Sequence, residues 1–511
     1  MTTCDCLLIN PRSAYYSRAQ KSAPYIPAGL LSIASTVKRA GASPFVLDMV
    51  TEDEPLRALD SYLGGENKVL LAGFTVMTAQ HRHAAEMSAY IKRRYPGTRI
   101  IWGGIHPSLF PEETLREGLA DFVCHGEGEY VTEELLAALK AGKEPASVKG
   151  LYLLSGDEAV FTGRRDPNDL DKLPFLNLDL IDYSRYRNGT VFRGKETMRV
   201  NPGVLVSSVG CPYRCTFCVN ANRRLAFGGY RAKSAARLAD EIEFLIGKFG
   251  VDYLDFLDEN FFVKRSHPED FAREIKKRGL KFQWYTNMRA DAFDRKLVDD
   301  ELLEKLRGVG LYRLAVGAES GSQRILDKLK KDITVEQIVQ SARRITEHEL
   351  GATFSFMMGI PGETPDDLNA TLRLIQRLRS FSDRVSVIGP QIFRPYPGGE
   401  LYDECVSVYG YSPSSNVTDE EGGTDPLTGF ESVENLPWIE DKPLIRKVAF
   451  YMEFVNINID ALRPGLFKRA ALTALKAMAN LRIRFRFWAF CFEMPLVLAY
   501  KKGGSGATGP A

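Results

Sequence analysis

The chain is 511 residues long, with 44% hydrophobic and 26% charged residues and a formal net charge of +2 at pH 7. That length predicts roughly three or four units rather than one domain; the composition is globular, and the near-neutral charge gives no electrostatic ground for a nucleic-acid partner. The eight cysteines are not laid out as a disulfide framework, and with no secretory signal and no long uninterrupted apolar run, a cytoplasmic protein without a transmembrane helix is expected.

In chain order, "CDCLLINP" (4–11) reads as a short buried strand. "YIPAGLLSIASTVKRAG" (25–41) has a proline near its start, apolar residues at helical spacing, basic residues in its last turn and a closing glycine, all helix signals. Strands follow over 44–50, 68–76, 98–107 and 121–129, with a polar helix ending at 95 and another near 111–119. This alternation predicts an α/β fold over 1–145, a doubly wound parallel sheet that binds ligands at the carboxyl ends of its strands. Gly-rich turns stand there, at Gly103-Gly104 and Gly126-Glu127-Gly128-Glu129. Residues 146–200, rich in Asp, Pro and Asn, read as a surface-hugging linker. A second alternation begins at 201: strands over 204–210, 253–261, 282–290, 312–320, 353–363 and 384–393, separated by helical stretches such as 234–250 and 364–380. Six strand–helix repeats over 201–400 fit a partial (β/α)6 barrel whose chemistry belongs at its C-terminal mouth.

Residues 401–511 read as a mainly helical region with a polar loop (414–429), a helix (443–462) and a flexible Gly-Ser tail. The stretch 467–502 threads arginines among aromatics and contains one acidic residue, Glu493. Such a segment lies in a membrane interface or packs on the barrel. The arginines of "LRIRFRFW" do not fall on one helical face, which speaks against the interfacial arrangement.

The most specific chemistry is in "SSVGCPYRCTFCVNA" (207–221), where Cys211, Cys215 and Cys218 are spaced C-x₃-C-x₂-C after the first barrel strand. Structural zinc and iron–sulfur cubes both want four ligands. Either a distant residue completes a zinc site, or the cysteines are unligated core residues, or one corner of an iron–sulfur cluster is left open. Cys4, Cys6, Cys124, Cys405 and Cys491 read as small apolar residues. His81 and His83, at the start of a polar helix, read as a solvated face.

The cysteine motif, with Phe217 just before its last cysteine, resembles the signature of the radical S-adenosylmethionine (SAM) superfamily. The resemblance implies a [4Fe–4S] cluster on Cys211, Cys215 and Cys218, with SAM on the open iron and its reductive cleavage to a 5′-deoxyadenosyl radical. Further segments are similar in the same order. Asp258-Glu259-Asn260 resembles the acidic loop near the methionine amino group, and Arg289 is positioned as the partner of the SAM carboxylate. Glu319-Ser320 resembles the ribose segment, and Gly359-Ile360 in "MMGIPGE" the adenine segment. Each also has a plain structural explanation as a helix cap or turn. "PYIPAGLLSIASTVKRAG", "WGGIHPSLFPEE" and "DFVCHGEGE" resemble the cobalamin-binding domain of class B radical SAM proteins. By strand-end position and resemblance, Gly73, Thr75, Gly103, Gly104, Gly126 and Glu127 are the expected cobalamin contacts. The Asp-x-His-x-x-Gly pattern of cobalt-ligating domains is absent, so His106 is assigned no cobalt. "RPYPGGELYDECV" (394–406) resembles the segment closing the barrel, with Gly399 where threonine is commoner.

Three functions follow. The first is methylation of an unactivated carbon of a small-molecule or lipid-like substrate through cobalamin. The second is a ring-forming, rearranging or oxidising radical enzyme without methyl transfer, and the third a non-catalytic sensor. The family's chemistry implies a flavodoxin- or ferredoxin-type electron donor. For the stretch 467–502, a peripheral contact with the inner membrane face stands as the alternative to packing on the barrel.

Overall fold

The computed structural model describes residues 4–13, 24–64, 69–193, 196–219, 229–412, 433–456, 459 and 465–495. The expected polar loop at 414–429 and the Gly-Ser tail lie outside the described residues, as does part of the expected helix at 443–462.

Two parallel sheets organise the chain. The first contains β1 (Cys6–Asn10), β2 (Pro44–Asp48), β3 (Leu71–Thr75), β4 (Arg99–Gly103), β5 (Phe122–Cys124), β6 (Leu151–Ser155) and β7 (Glu158–Phe161), in the order β2-β1-β3-β4-β5-β6-β7. The neighbours from β2 through β5 are parallel. Their apolar runs are buried on both faces, as a helix-covered parallel sheet requires: Leu7, Leu8 and Ile9 of β1 are all enclosed. One expectation is corrected here. The stretch 151–161 is not irregular linker but a hairpin, β6–β7, that extends the sheet antiparallel to β5. An edge hairpin half-open to water carries polar residues such as Ser155, Asp157 and Glu158, which in sequence resemble loop.

The second sheet is β8 (Pro202–Leu205), β9 (Tyr253–Phe256), β10 (Gln283–Met288), β11 (Leu311–Glu319), β12 (Gly351–Met358) and β13 (Val385–Ile392), all parallel and in chain order. Helices between them are capped as their sequences direct: Ser234, Thr334 and Thr364 each accept an N–H of the first turn. Strand β8 ends at Leu205, earlier than expected. Ser208–Val209 instead pairs antiparallel with Arg231–Ala232, so the cysteine loop leaves the sheet through a short ribbon. The helices Lys442–Asn456 and Leu466–Phe485 pack together, and the first also packs on β13. No described helix is long and apolar enough to cross a membrane.

The connector fastens the two halves. Tyr186 donates its hydroxyl to Asp48 at 2.5 Å, and the Leu176 N–H donates to Glu241, whose other oxygen holds Lys233 at 2.6 Å in a fully buried pair.

Candidate active site

The carboxyl ends of both sheets open onto one cavity of about 370 Å³. All six residues expected at the first sheet, Gly73, Thr75, Gly103, Gly104, Gly126 and Glu127, line it, and so do Val206, Ser208, Leu257 and Glu259 from the mouth of the second. Space there is made by missing side chains. A Cβ on Gly73 would stand 2.8 Å from Leu8 Cδ2, and one on Gly128 2.8 Å from Ile33 Cδ1. Gly104 adopts φ +104°, and a Cβ there would stand 2.9 Å from the Val76 carbonyl oxygen, a conformation and an approach that only glycine takes. This bare backbone cradle, joined to apolar walls, fits a large planar cofactor such as cobalamin.

Glu127 has a further duty. Its carboxylate accepts the Asn168 N–H at 2.6 Å and pairs with Arg231, and Arg231 in turn donates to the Asn168 carbonyl. One residue therefore joins the first sheet, the connector and the ribbon that follows the cysteine loop. His106 stays outside the cavity lining; burial and the neighbouring His81 push it down to about 4, so it is a neutral imidazole, its Nδ1 without a partner among the described residues. The expectation of a solvated face for His81 and His83 is corrected. His81 packs edge-on against Trp102 and His106 and bonds Glu117 at 3.1 Å, while His83 is half-buried and its burial lowers its pKa.

On the second sheet, Cys211, Cys215 and Cys218 stand on the loop after β8, none in a disulfide, with Cys215 buried. Gly210, at φ +87°, turns the chain into the loop, where a Cβ would meet the Gly229 carbonyl at 3.0 Å. No trio of His, Cys, Asp or Glu among the described residues converges to hold a single ion. A cube takes one thiolate per iron, so its ligands need not meet at one point. Three soft donors on one loop beside an open mouth fit such a cluster. The closing segment braces this loop: the Leu401 N–H donates to the Thr216 carbonyl at 3.1 Å, and a Cβ on Gly399 would stand 2.6 Å from that same oxygen. At that distance position 399 has no room for a side chain.

The expected SAM contacts fall into two groups. Glu259 lines the cavity and accepts the Gly210 N–H at 3.1 Å. Asn260 is 2% exposed, and its Nδ2 has no hydrogen-bond partner among the described residues. Phe217 lines a smaller cavity of about 150 Å³ with Met357 and Gln391. Gly359 donates its N–H to Glu363 at 2.6 Å, and burial pushes that carboxyl up to about 7. The other residues hold the mouth together from inside. Asp258 is fully buried; it accepts the Ser207 hydroxyl at 2.7 Å and both the N–H and hydroxyl of Ser208, and burial raises its carboxyl to about 6. Arg289 is not directed at the open cavity. Its guanidinium donates to Asp291 at 3.0 Å, to the Lys331 carbonyl and to Cys215 Sγ at 3.9 Å, and stacks 3.7 Å over the Tyr213 ring. Glu319, at φ +63°, pairs with Lys331 at 2.9 Å, both about 10% exposed. Ser320 is enclosed, sharing its hydroxyl with Thr371 and the Ser322 N–H, and Ile360 is buried in the core. Lys331 is the residue sequence reasoning missed: it lies in a loop, and no motif or period marks it as the partner of Glu319.

Comparison with known proteins matches these two halves separately. Residues 21–136 match the B12 binding domain and residues 205–375 the radical SAM superfamily. An uncharacterized methyltransferase of Pyrococcus horikoshii is 28% identical over 385 residues, covering 75% of this chain and 78% of the relative. An anaerobic magnesium-protoporphyrin IX monomethyl ester cyclase of Cereibacter sphaeroides is 27% identical over 414 residues, 78% of this chain but 64% of the cyclase. Among solved structures, the radical S-adenosylmethionine methyltransferase TsrM from Kitasatospora setae, with cobalamin and a [4Fe–4S] cluster bound, aligns with a TM-score of 0.63. It is 20% identical, and the match covers 81% of this chain and 80% of that one. At that identity the likeness is one of fold.

Proposed function

This chain belongs to the class B radical SAM enzymes, a B12-binding domain ahead of a radical SAM domain, and from that premise we propose that it methylates an unactivated carbon of a small-molecule or lipid-like substrate. Its cofactors are a [4Fe–4S] cluster, SAM and cobalamin. When bound, they supply a hydrogen-abstracting radical and a transferable methyl group.

The observation that carries the reading is the cavity shared by both domains. Methylation at carbon needs a methyl carrier and a radical source to reach the same substrate atom, and a common wall of Gly73, Gly104, Val206 and Glu259 supports that. In this reading Cys211, Cys215 and Cys218 hold the cluster. Glu259 and the Asn260 Nδ2, without a partner among the described residues, meet the amino acid end of SAM, and Gly359 and Ile360 flank its adenine. Asp258, by gripping Ser207 and Ser208, holds the ribbon from which the cysteine loop departs. Arg289 steadies Cys215 and Tyr213, and Glu319 with Lys331 fixes the ribose side. The electron comes from a low-potential flavodoxin- or ferredoxin-type donor.

The test uses anaerobic protein reconstituted with iron, sulfide and cobalamin, then given SAM, a strong reductant and an extract of small molecules and lipids. Methylation at carbon requires 5′-deoxyadenosine and S-adenosylhomocysteine to accumulate in equal amounts. 5′-Deoxyadenosine alone supports the second reading, ring formation or oxidation, which the name of the cyclase relative favours. Cys218→Ala is expected to abolish both products and most bound iron; full iron content in that variant would sink the cluster assignment.

A further inference from the structure

The helix Leu466–Phe485 is apolar on two sides. Inward, Leu472, Leu475, Ala479 and Ile483 pack into the main core. Outward, Phe467, Ala470, Ala474, Ala477, Leu481 and Phe485 recur at helical spacing, and every one is exposed, Phe467 at 91%. An exposed apolar stripe of this kind marks an interaction surface.

The chain beyond the helix adds to that face. Arg482 is buried and paired with Glu493, which also accepts the Tyr451 hydroxyl at 2.7 Å. The rest of its guanidinium donates to the carbonyls of Phe487, Ala489 and Phe490 at 3.1, 3.0 and 3.0 Å. With Arg486 and Phe490 in left-handed conformations, φ +52° and +50°, the backbone wraps the buried cation and turns its rings outward. Phe490 is 85% exposed, and Phe487 and Phe492 are exposed beside it. The display is built into the fold by the buried pair.

Charge identifies the partner. From residue 461 to the end, Glu493 is the single acidic residue, and it is consumed inside the protein. Lys468, Arg484 and Arg486 are exposed at the two ends of the stripe. The earlier objection, that the arginines share no face, falls away because Arg482 points inward and the helix ends at Phe485.

We propose that this face binds the surface of an anionic lipid bilayer, the helix lying along it with its phenylalanines at the headgroup boundary and its cations among the lipid phosphates. The helix of 20 residues is about 30 Å long, enough to lie on a bilayer, and it does not cross one. The proposal rests on this surface alone, so its failure leaves the catalytic reading intact.

The test is flotation of the full chain with vesicles of phosphatidylcholine alone or mixed with phosphatidylglycerol. Binding is expected only to the anionic vesicles and is weakened by salt. Arg484→Glu with Arg486→Glu lowers the affinity by roughly six hundredfold, because each cation near such a surface is worth roughly fivefold and each reversal counts twice. Phe485→Ser with Phe490→Ser, which keeps the charge, lowers it by roughly tenfold or more. All four residues are exposed, so an unchanged melting temperature separates lost binding from lost folding. Equal binding of the wild type to both vesicles, or to neither, overturns the proposal. So does lipid-independent self-association in the ultracentrifuge that the phenylalanine substitutions abolish, since the face would then join two copies of the chain.

Discussion

The two sheets build their open ends by opposite means. The first clears space by omission: Gly73, Gly103, Gly104, Gly126 and Gly128 leave bare backbone, and its carboxylates there, Glu127 and Glu129, are tied back to Arg231, Ser32 and Asn168. The second fills its mouth with buried charge, Glu319 on Lys331, Arg289 on Asp291, and Asp258 on two serines. A broad flat cofactor needs area without obstruction. A cluster with a small charged co-substrate needs fixed dipoles and ions, and these are affordable inside a protein only when each has a partner. Damage to the first face should therefore appear in cofactor affinity, and damage to the second in stability.

The sharpest break is expected at Lys331. Lys331→Met leaves the Glu319 carboxylate buried and alone, at a cost of roughly 3–5 kcal/mol in denaturant unfolding of the cofactor-free protein. Adding Glu319→Gln should restore much of that loss, and a double variant as unstable as the single one would mean the pair is not the cause. Asp258 comes next. Its folded carboxyl titrates at about 6 against an ordinary 3.8, so its protonated form stabilises the fold at low pH and that contribution is lost as pH rises through about 6. Against Asp258→Asn, which does not titrate, the wild type should lose roughly 3 kcal/mol of relative stability between acid and neutral pH. A difference that stays flat with pH contradicts this burial. The smallest effect belongs to the glycine face: Gly103→Ala adds a methyl at the cavity wall in ordinary contact with Cys124 Cβ at 3.6 Å, and cobalamin retained after gel filtration should weaken about tenfold with little change in melting. Loss of stability without loss of cobalamin would erase the contrast between the two ends.

The same contrast governs how much could be read in advance. Glycines at strand ends are local signals, and the four chosen, with Thr75 and Glu127 beside them, all line the cavity. The cysteine loop and the six strands of the second sheet follow from spacing and period, with boundaries shifted by a few residues. Side-chain networks do not follow. Arg289 turns toward Asp291 and Cys215 because of what surrounds it in space, and Lys331 meets Glu319 across a loop with no repeating interval. The hairpin at 151–161 was hidden because a polar edge strand and a linker share a composition. Arg482 and Glu493 are eleven residues apart, a spacing no helix rule couples; only the chain reversal brings them together.

The clip at Glu127 sets an order of events for the molecule's assembly. Its carboxylate is held by the Asn168 N–H of the connector and by Arg231 of the ribbon, so the floor of the shared cavity is finished only after the second sheet has folded against the first. A large guest held between them is expected to exchange faster when Arg231→Ala breaks that latch. Exchange of the guest is then timed by the latch, and splitting the chain within the connector would give a first half that takes up its guest quickly and gives it back as quickly.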